Sequence, residues 1–546
     1  MTILFMKKKY QLERFFVTWL MILFMILTDA FTAFAQVKQA TVLVNGISCD
    51  LEQGILKVEF VTPDVVRVQY TGENTFMGNG TDVCLSRTVD NPVRWVYTPN
   101  PDCYLLKSDS LIVRVDLSTA SITYLDKEGR LLLQEDQNIP RISEKRVTKQ
   151  VIYDEHSKHI EKTADGDKEI KNVLRYDIIG HTWKYRINFK WQPLEALYGW
   201  GAHMEDYMNL RGKELYLCQH NLKAMVPVLN STAGYGLLFD AGCAMMFKDN
   251  SEGSFVELEA AKQIDYYFMK GKTMDAVVAN YRLLTGNSPM MPLYLFGYIQ
   301  SKERYVSSDD LINTLKEYRQ RQIPIDMIVQ DWNYWPEGQW GNMSMNPKFY
   351  PDKRKLADEI HSLHAKLMIS IWPNAMNCPQ HEEFKRKGWL LSGTSVYDAF
   401  NPLARKLYWN YANNEFFGNG FDAWWCDASE PLDADWTFMK DGYGADNHRQ
   451  RWELNTNLLN SVLGAERSQL YSLYHAKGIY ENQRSTNEDK RVVNLTRSSY
   501  AGQQRYSTIT WNGDTYATWQ SFAQMIPAGL NFMATGCPYW TDRKSV

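Results

Sequence analysis

From Val37 to roughly Lys270, apolar and polar positions alternate in short runs, as in Leu56-Lys-Val-Glu-Phe-Val, Val65-Val-Arg-Val-Gln-Tyr and Leu111-Ile-Val-Arg-Val-Asp. Gly, Asp and Asn-Pro turns separate the runs. A period of two sends successive side chains to opposite faces of a strand, so this half predicts antiparallel strands stacked as a β-sandwich. Asp126-Lys-Glu-Gly129 lies between two such runs with the residues of a hairpin turn. The stretch Ser143 to Lys171 is polar and rich in charge, and reads as an exposed excursion rather than core.

The period changes in the second half. Thr273 to Leu284 has helical spacing, and Thr285-Gly-Asn-Ser-Pro289 ends it as a linker would. Apolar runs then predict strands at Leu293 to Gln300, Ile325 to Asp331, Lys366 to Trp372, Phe421 to Asp427, Arg491 to Thr496, Tyr506 to Trp511 and Cys537 to Trp540. Helical patterns separate them at Ser308 to Gln322, Asp352 to Ala365, Pro402 to Phe417, Gln450 to Gly478 and Ala517 to Thr535. Strands alternating with helices form a parallel sheet with helical crossovers. The expected fold is therefore α/β plus β: an incomplete (β/α)8 TIM-type barrel of about seven strands, preceded by an N-terminal β-sandwich. Asp331, Asp427 and Asp514 each close an apolar strand at its carboxyl end, where such barrels carry their chemistry. No Gly-X-Gly-X-X-Gly follows the first strand, which argues against a dinucleotide-binding sheet.

Length divides the 546 residues into more than one core. The expected units are a signal peptide at 1–35, a β-sandwich at 36–290 and a catalytic barrel at 291–546. Lys7, Lys8 and Lys9 precede an apolar run from Phe15 to Leu27, and Ala33-Phe34-Ala35 supplies a cleavage site before Gln36. An uncleaved membrane anchor is the rival, but that run is short of the roughly 20 residues a spanning helix needs, and no stable membrane insertion is expected after cleavage. The protein is expected to be secreted or periplasmic. Net charge is −3 with no basic block, which argues against a nucleic-acid partner and suits an uncharged substrate. Aromatics make up 13% of residues, fitting both sugar-stacking surfaces and large β cores. The eight cysteines show no Cys-X-X-Cys and no pairing with histidine, so neither a metal nor any other cofactor is expected. His361 and His364 share a helix without a third ligand and read as a surface or packed pair.

One stretch demands explanation beyond packing. Phe421-Asp-Ala-Trp-Trp-Cys-Asp-Ala-Ser-Glu-Pro431 brings acids to the tip of an apolar strand, and buried charge is costly unless paired or used. A structural ion pair or a helix cap would account for one such acid. The stretch resembles the nucleophile strand of glycoside hydrolase family 31, Gly-hydrophobic-Asp-Gly-Trp-Trp-hydrophobic-Asp-small-small-Glu-Pro. Trp511-Asn-Gly-Asp514 resembles the same family's general-acid strand, Trp-X-Gly-Asp. Tyr198-Gly-Trp-Gly201 with Leu210-Arg-Gly212, and Gly234-Tyr-Gly236-Leu-Leu-Phe-Asp240, resemble its N-terminal domain.

The resemblance implies Asp427 as nucleophile and Asp514 as acid and base in a retaining cleavage of an α-linked xylose or glucose. The catalytic carboxyls would then stand about 5 to 5.5 Å apart, against roughly 6.5 to 9.5 Å for an inverting pair. It also implies Asp331 and Trp332 of Gln330-Asp-Trp-Asn-Tyr-Trp335, Trp372 of Ile371-Trp-Pro-Asn374, and Arg497 of Leu495-Thr-Arg-Ser-Ser as substrate-binding residues. Trp511 joins them, and with its apolar surroundings is expected to desolvate Asp514 and raise its proton affinity. Glu430 reads as a supporting acceptor or cap, Arg497 alternatively as a structural ion pair, and Trp372 alternatively as core. Glu205 or Asp206 is expected at the site mouth. In the family Pro-Tyr-Trp-X-X-Asp-Ile-Gly-Gly-Phe follows, then a last strand and β-domains; here Pro538-Tyr-Trp-Thr-Asp542 leads to Arg543-Lys-Ser-Val546. The expectation is a barrel shortened before its last strand and poorly active in this form. Beside a secreted α-glycosidase or α-glucosyltransferase acting on oligosaccharides stand two other readings: a non-catalytic carbohydrate-binding relic, and a structural envelope protein. The sequence leaves the oligomeric state open.

Overall fold

A computed structural model describes residues 36–76, 81–85, 92–163, 166–170, 172–434 and 448–542. The expected leader and the last four residues lie outside them. No helix among the described residues is long and apolar enough to cross a membrane.

Two antiparallel sheets face each other in the first half. One has eight strands in the order Val37–Val42, Gly46–Leu51, Ile55–Thr62, Val65–Thr71, Ile264–Lys270, Tyr235–Phe239, Ala224–Ser231 and Leu197–Ala202. The other runs from Glu214–Leu217 through Met245–Asn250, Gly253–Ala261 and Val173–Lys190 to the meander ending at Trp95–Pro99. Alternation explains the layer between them: Leu56 and Val58 of one sheet and Val113 and Val115 of the other are fully buried, whereas Lys57 and Arg114 are not. The strand Val65–Thr71 departs from this, since Arg67 and Gln69 are buried too. Both donate to Asp265, Arg67 through two bonds of 2.9 and 2.6 Å and Gln69 at 2.9 Å, so the polar face closes on a carboxylate instead of water. The charge-rich excursion is exposed but not irregular. Arg141–Tyr153 pairs along Val173–Lys190 as a long antiparallel ribbon, with Val147, Tyr176 and Ile178 open to solvent.

The second half forms a seven-stranded parallel sheet: β1 (Ile299–Gln300), β2 (Met327–Gln330), β3 (Lys366–Ile371), β4 (Ala423–Cys426), β5 (Asn494–Thr496), β6 (Thr508–Trp511) and β7 (Trp540–Thr541), each paired with the next. Helix α1 (Met274–Thr285) leads into it, capped by the Thr273 hydroxyl and ended at Gly286. The helices α2 (Ser308–Gln320), α3 (Lys353–Ser362), α4 (Pro379–Lys387), α5 (Pro402–Glu415), α6 (His448–Leu463), α7 (Tyr471–Thr486) and α8 (Trp519–Ala534) follow. Period-two alternation sorts β4. Trp425 points inward with Met327, Val329, Met368 and Trp511, while Trp424 points outward onto Trp409 and donates to Gln483 Oε1 at 2.7 Å.

Two expected elements change and one unexpected helix appears. The run Leu293 to Gln300 is a 3-10 turn, Leu293–Phe296, followed by a two-residue strand. The Asp326 carboxylate sits where a Cβ on Gly297 would stand and accepts the Tyr298 N–H at 3.2 Å, so a side chain takes up this backbone donor just before the short strand. Gln450 to Gly478 is two helices, split at Gly464 with φ of 85°. Helix α4 was not expected; Pro379 opens it and Gly388, left-handed, closes it.

Candidate active site

The carboxyl ends of β4, β5 and β6 converge on Arg497. Its side chain is 5% exposed. Nε donates to Glu430 Oε1 at 2.6 Å, and Nη1 lies 3.1 Å from Asp427 Oδ1 and 3.3 Å from Asp514 Oδ2. Those two aspartate oxygens are thus no farther apart than the sum of the two distances, about 6.4 Å. Burial opposes charge on Arg497, but Glu430, Asp427 and Asp514 outweigh it and hold the guanidinium protonated. One cation among three carboxylates leaves surplus negative charge. Burial pushes Glu430 up to about 7 against the pull of Arg497, and the charge of Asp427 adds to the rise.

Asp427 stands one residue past β4 and is 2% exposed. Its N–H lies 3.2 Å from the Ile371 carbonyl, and its Oδ1 accepts the Ala428 N–H at 2.8 Å. Ala428 itself is left-handed, with φ of 50°, which turns the chain sharply after the acid. Asp514 is different. Its side chain is 44% exposed, because Gly513, with φ of 77°, swings the chain out of the barrel after β6. The desolvation expected from Trp511 is therefore not provided: Trp511 is 1% exposed and packs inside the barrel on Trp425, ring centroids 4.9 Å apart.

Asp331 follows β2, is fully buried, and accepts the Trp332 N–H at 2.9 Å. Trp332 is half-buried beneath Arg304, whose guanidinium lies 5.0 Å from its ring. Trp340 joins the expected aromatics, 5.6 Å from Trp332 and 5.3 Å from both Trp335 and Trp372. Trp372 is 7% exposed and donates to Ser370 Oγ at 3.1 Å, and it borders an open cleft all the same. That cleft, of about 2180 Å³, lies between the Arg141–Tyr153 ribbon and the barrel. It meets the carboxylate cluster at Arg497, Ala428 and Trp372, with Val147, Ile160 and Tyr176 on its far wall.

Glu205 or Asp206 was the residue expected at the mouth. Glu205 is paired with the buried Lys223. Asn221, from the turn between Glu214–Leu217 and Ala224–Ser231, reaches Asp514 instead: its Nδ2 donates to Asp514 Oδ2 at 2.8 Å, and its Oδ1 accepts the Asp514 N–H at 2.8 Å. Nothing in the local pattern marks Asn221 beyond a polar residue in a turn. Its partner's requirement for Gly513 is the only sequence trace, and that needs the contact to be known first. His361 donates or accepts at 2.7 Å with Asp422, at the opposite end of β4 from Asp427. Among the described residues no cluster of three histidine, cysteine or acidic side chains is placed to hold a metal. The eight cysteines are buried and free.

Residues 288–543 match the family profile described as the glycosyl hydrolases family 31 TIM-barrel domain, and residues 55–247 that of the glycosyl hydrolase 31 N-terminal galactose mutarotase-like domain. An α-xylosidase of Saccharolobus solfataricus is 31% identical over 497 residues, spanning 89% of this chain and 61% of that protein. An uncharacterised family 31 glucosidase of Pseudescherichia vulneris is 30% identical over 380 residues, 66% of this chain and 68% of its own. Among solved structures, an α-xylosidase from a soil metagenome complexed with xylose superposes with a TM-score of 0.74 at 23% identity, covering 92% of this chain and 72% of that one. The chain thus spans about three fifths of the first of these relatives.

Proposed function

Because the chain belongs to glycoside hydrolase family 31, we propose that it cleaves a terminal α-linked xylose, or glucose, from oligosaccharides with retention, through Asp427 and Asp514. The observation that carries this reading is the shared Arg497 nitrogen, which brings the two acids within reach of one glycosidic bond. Asp427 is the nucleophile: its carboxyl group is buried beside the Arg497 guanidinium and is the one to attack the anomeric carbon. Its attack forms a glycosyl ester while the C–O bond to the leaving group breaks. Asp514 gives its proton to that departing oxygen, then takes one from the water that opens the ester and regenerates both acids. The two oxygens that share the Arg497 nitrogen, at most about 6.4 Å apart, are compatible with the roughly 5 to 5.5 Å of a retaining pair and so with a covalent intermediate. Asp331 and the Trp332, Trp340 and Trp372 aromatics are suited to hold the sugar's hydroxyls and apolar ring face. Relatives described as α-xylosidases favour xylose over glucose.

The test is hydrolysis of an aryl α-xyloside beside the matching α-glucoside by the full chain and by Asp427→Ala. Faster release of xylose, lost in the variant, supports the reading. Sugar binding with no turnover by the unaltered chain would instead support a binding relic. We further propose export with cleavage before Gln36, which the N-terminal residue of protein recovered outside the cell would report.

A further inference from the structure

We propose that Asn221, carried in by the sandwich, is the positioning residue of the acid and base Asp514. This rests on the assignment of Asp514 made above. Asn221 meets Asp514 at two points: it receives the backbone N–H and donates to the carboxylate, both at 2.8 Å, so backbone and side chain are held together. The barrel is shaped to receive it. A Cβ on Gly513 would come to 1.7 Å from the Asn221 carbonyl oxygen, so no other residue admits this approach.

Asn221 is itself firmly seated, 7% exposed. Its turn is closed by reciprocal backbone bonds of 3.1 and 3.0 Å between His220 and Lys223. On one side Gln219 is bonded to the barrel, through Gln469 Oε1 at 2.6 Å and the Ser499 carbonyl at 2.6 Å. On the other, Lys223 pairs with Glu205 and lies 4.9 Å over the Trp452 ring. A rigid turn of this kind holds an amide where a flexible side chain on the barrel would not.

The contact also acts on protonation. Among the charged groups of the described residues, Arg497 faces Asp514 at 3.3 Å, and through it Asp427 and Glu430. Behind Asn221 stand the Lys223–Glu205 pair and His203, which burial holds neutral, down to about 4. An amide donor on a carboxylate favours its ionised form. Asn221 therefore keeps Asp514 from holding its proton too tightly, as the second step requires, while aiming it for the first.

The experiment compares Asn221→Ala, Gly513→Ala and Asp514→Ala in the full chain on two aryl α-xylosides and their α-glucosides. Phenol leaves only with a proton; 2,4-dinitrophenol leaves without one. For Asn221→Ala, kcat/KM on the phenyl glycoside should fall by about tenfold or more, a part of the 100- to 10,000-fold that acid–base catalysis supplies, with far less change on the dinitrophenyl glycoside. The alkaline limb of the pH profile should move to higher pH. Gly513→Ala, which breaks the same contact from the barrel side, should reproduce the leaving-group pattern. Equal losses on both substrates, an unmoved limb, or no loss at all would overturn the proposal. If Asp514→Ala loses phenyl glycoside cleavage while Asn221→Ala does not, only Asn221 is misassigned. If Asp514→Ala retains it, or the unaltered chain turns over no aryl glycoside, the underlying reading falls and the inference with it.

Discussion

Arg497 carries one positive charge into a space shared by Asp427, Glu430 and Asp514, and its planar fork is what lets it serve all three at once. Lysine keeps the charge but offers a single point, so it cannot bond Glu430 through one nitrogen and bridge two aspartates through another. In Arg497→Lys, kcat/KM on an aryl α-glycoside should fall at least about tenfold, in keeping with the roughly 1.5 to 3 kcal/mol of a charged hydrogen bond. Near-UV circular dichroism should show the aromatic packing retained. Unchanged turnover would make Arg497 a structural ion pair, the alternative the sequence left open. Asp427, Arg497 and Asp514 were legible because each follows an apolar strand within a spaced motif. Asn221 was not, because it lies 293 residues from the acid it touches and only folding brings them together.

At the scale of elements, alternation and turn residues were enough to read a sandwich followed by strands and helices in turn. The ends were read less well. Phe421 and Asp422 continue the apolar run of β4 at one end and Asp427 at the other, but pairing spans only Ala423–Cys426, since barrel strands stop where their tips turn to form the site. Periodicity was equally blind to α4, whose nine residues bury only Gln380 and Phe384 and so carry almost no apolar stripe. Caps were more informative. Asn401 accepts from Leu403 N at 2.9 Å and Ala404 N at 3.4 Å at the start of α5. Asn401→Ala should lower the free energy of unfolding by about 0.5 to 2 kcal/mol, measured as a shift of the urea midpoint, with catalysis intact.

For the whole molecule, the two halves are one mechanical unit around the site. Gly199 N–H donates to Asn531 Oδ1 at 2.8 Å, Tyr281 hydroxyl to Gln504 Oε1 at 2.9 Å, and the sandwich core continues into Leu473 of α7 and Phe532 of α8. Burial inside the barrel half brings acid sensitivity. His475 is fully buried, bonded by the Tyr397 hydroxyl at 2.7 Å, and burial pushes its imidazole down to about 3. Its folded proton affinity is below that of the unfolded chain, so its contribution to stability is present above pH 6.5 and lost as pH falls. Relative to His475→Gln, the unaltered protein should lose about 1.4 kcal/mol per pH unit below pH 6.5, read from melts at stepped pH; a constant difference would contradict it. The proposed cleavage begins with Asp427 attacking the sugar, and the most direct measurement is to trap that ester. Incubation of the full chain with a 5-fluoro-α-xylosyl or α-glucosyl fluoride, followed by peptide mass spectrometry, should place the added sugar on Asp427. A label on any other residue, or turnover of the aryl glycoside that persists in Asp427→Ala, would contradict the mechanism.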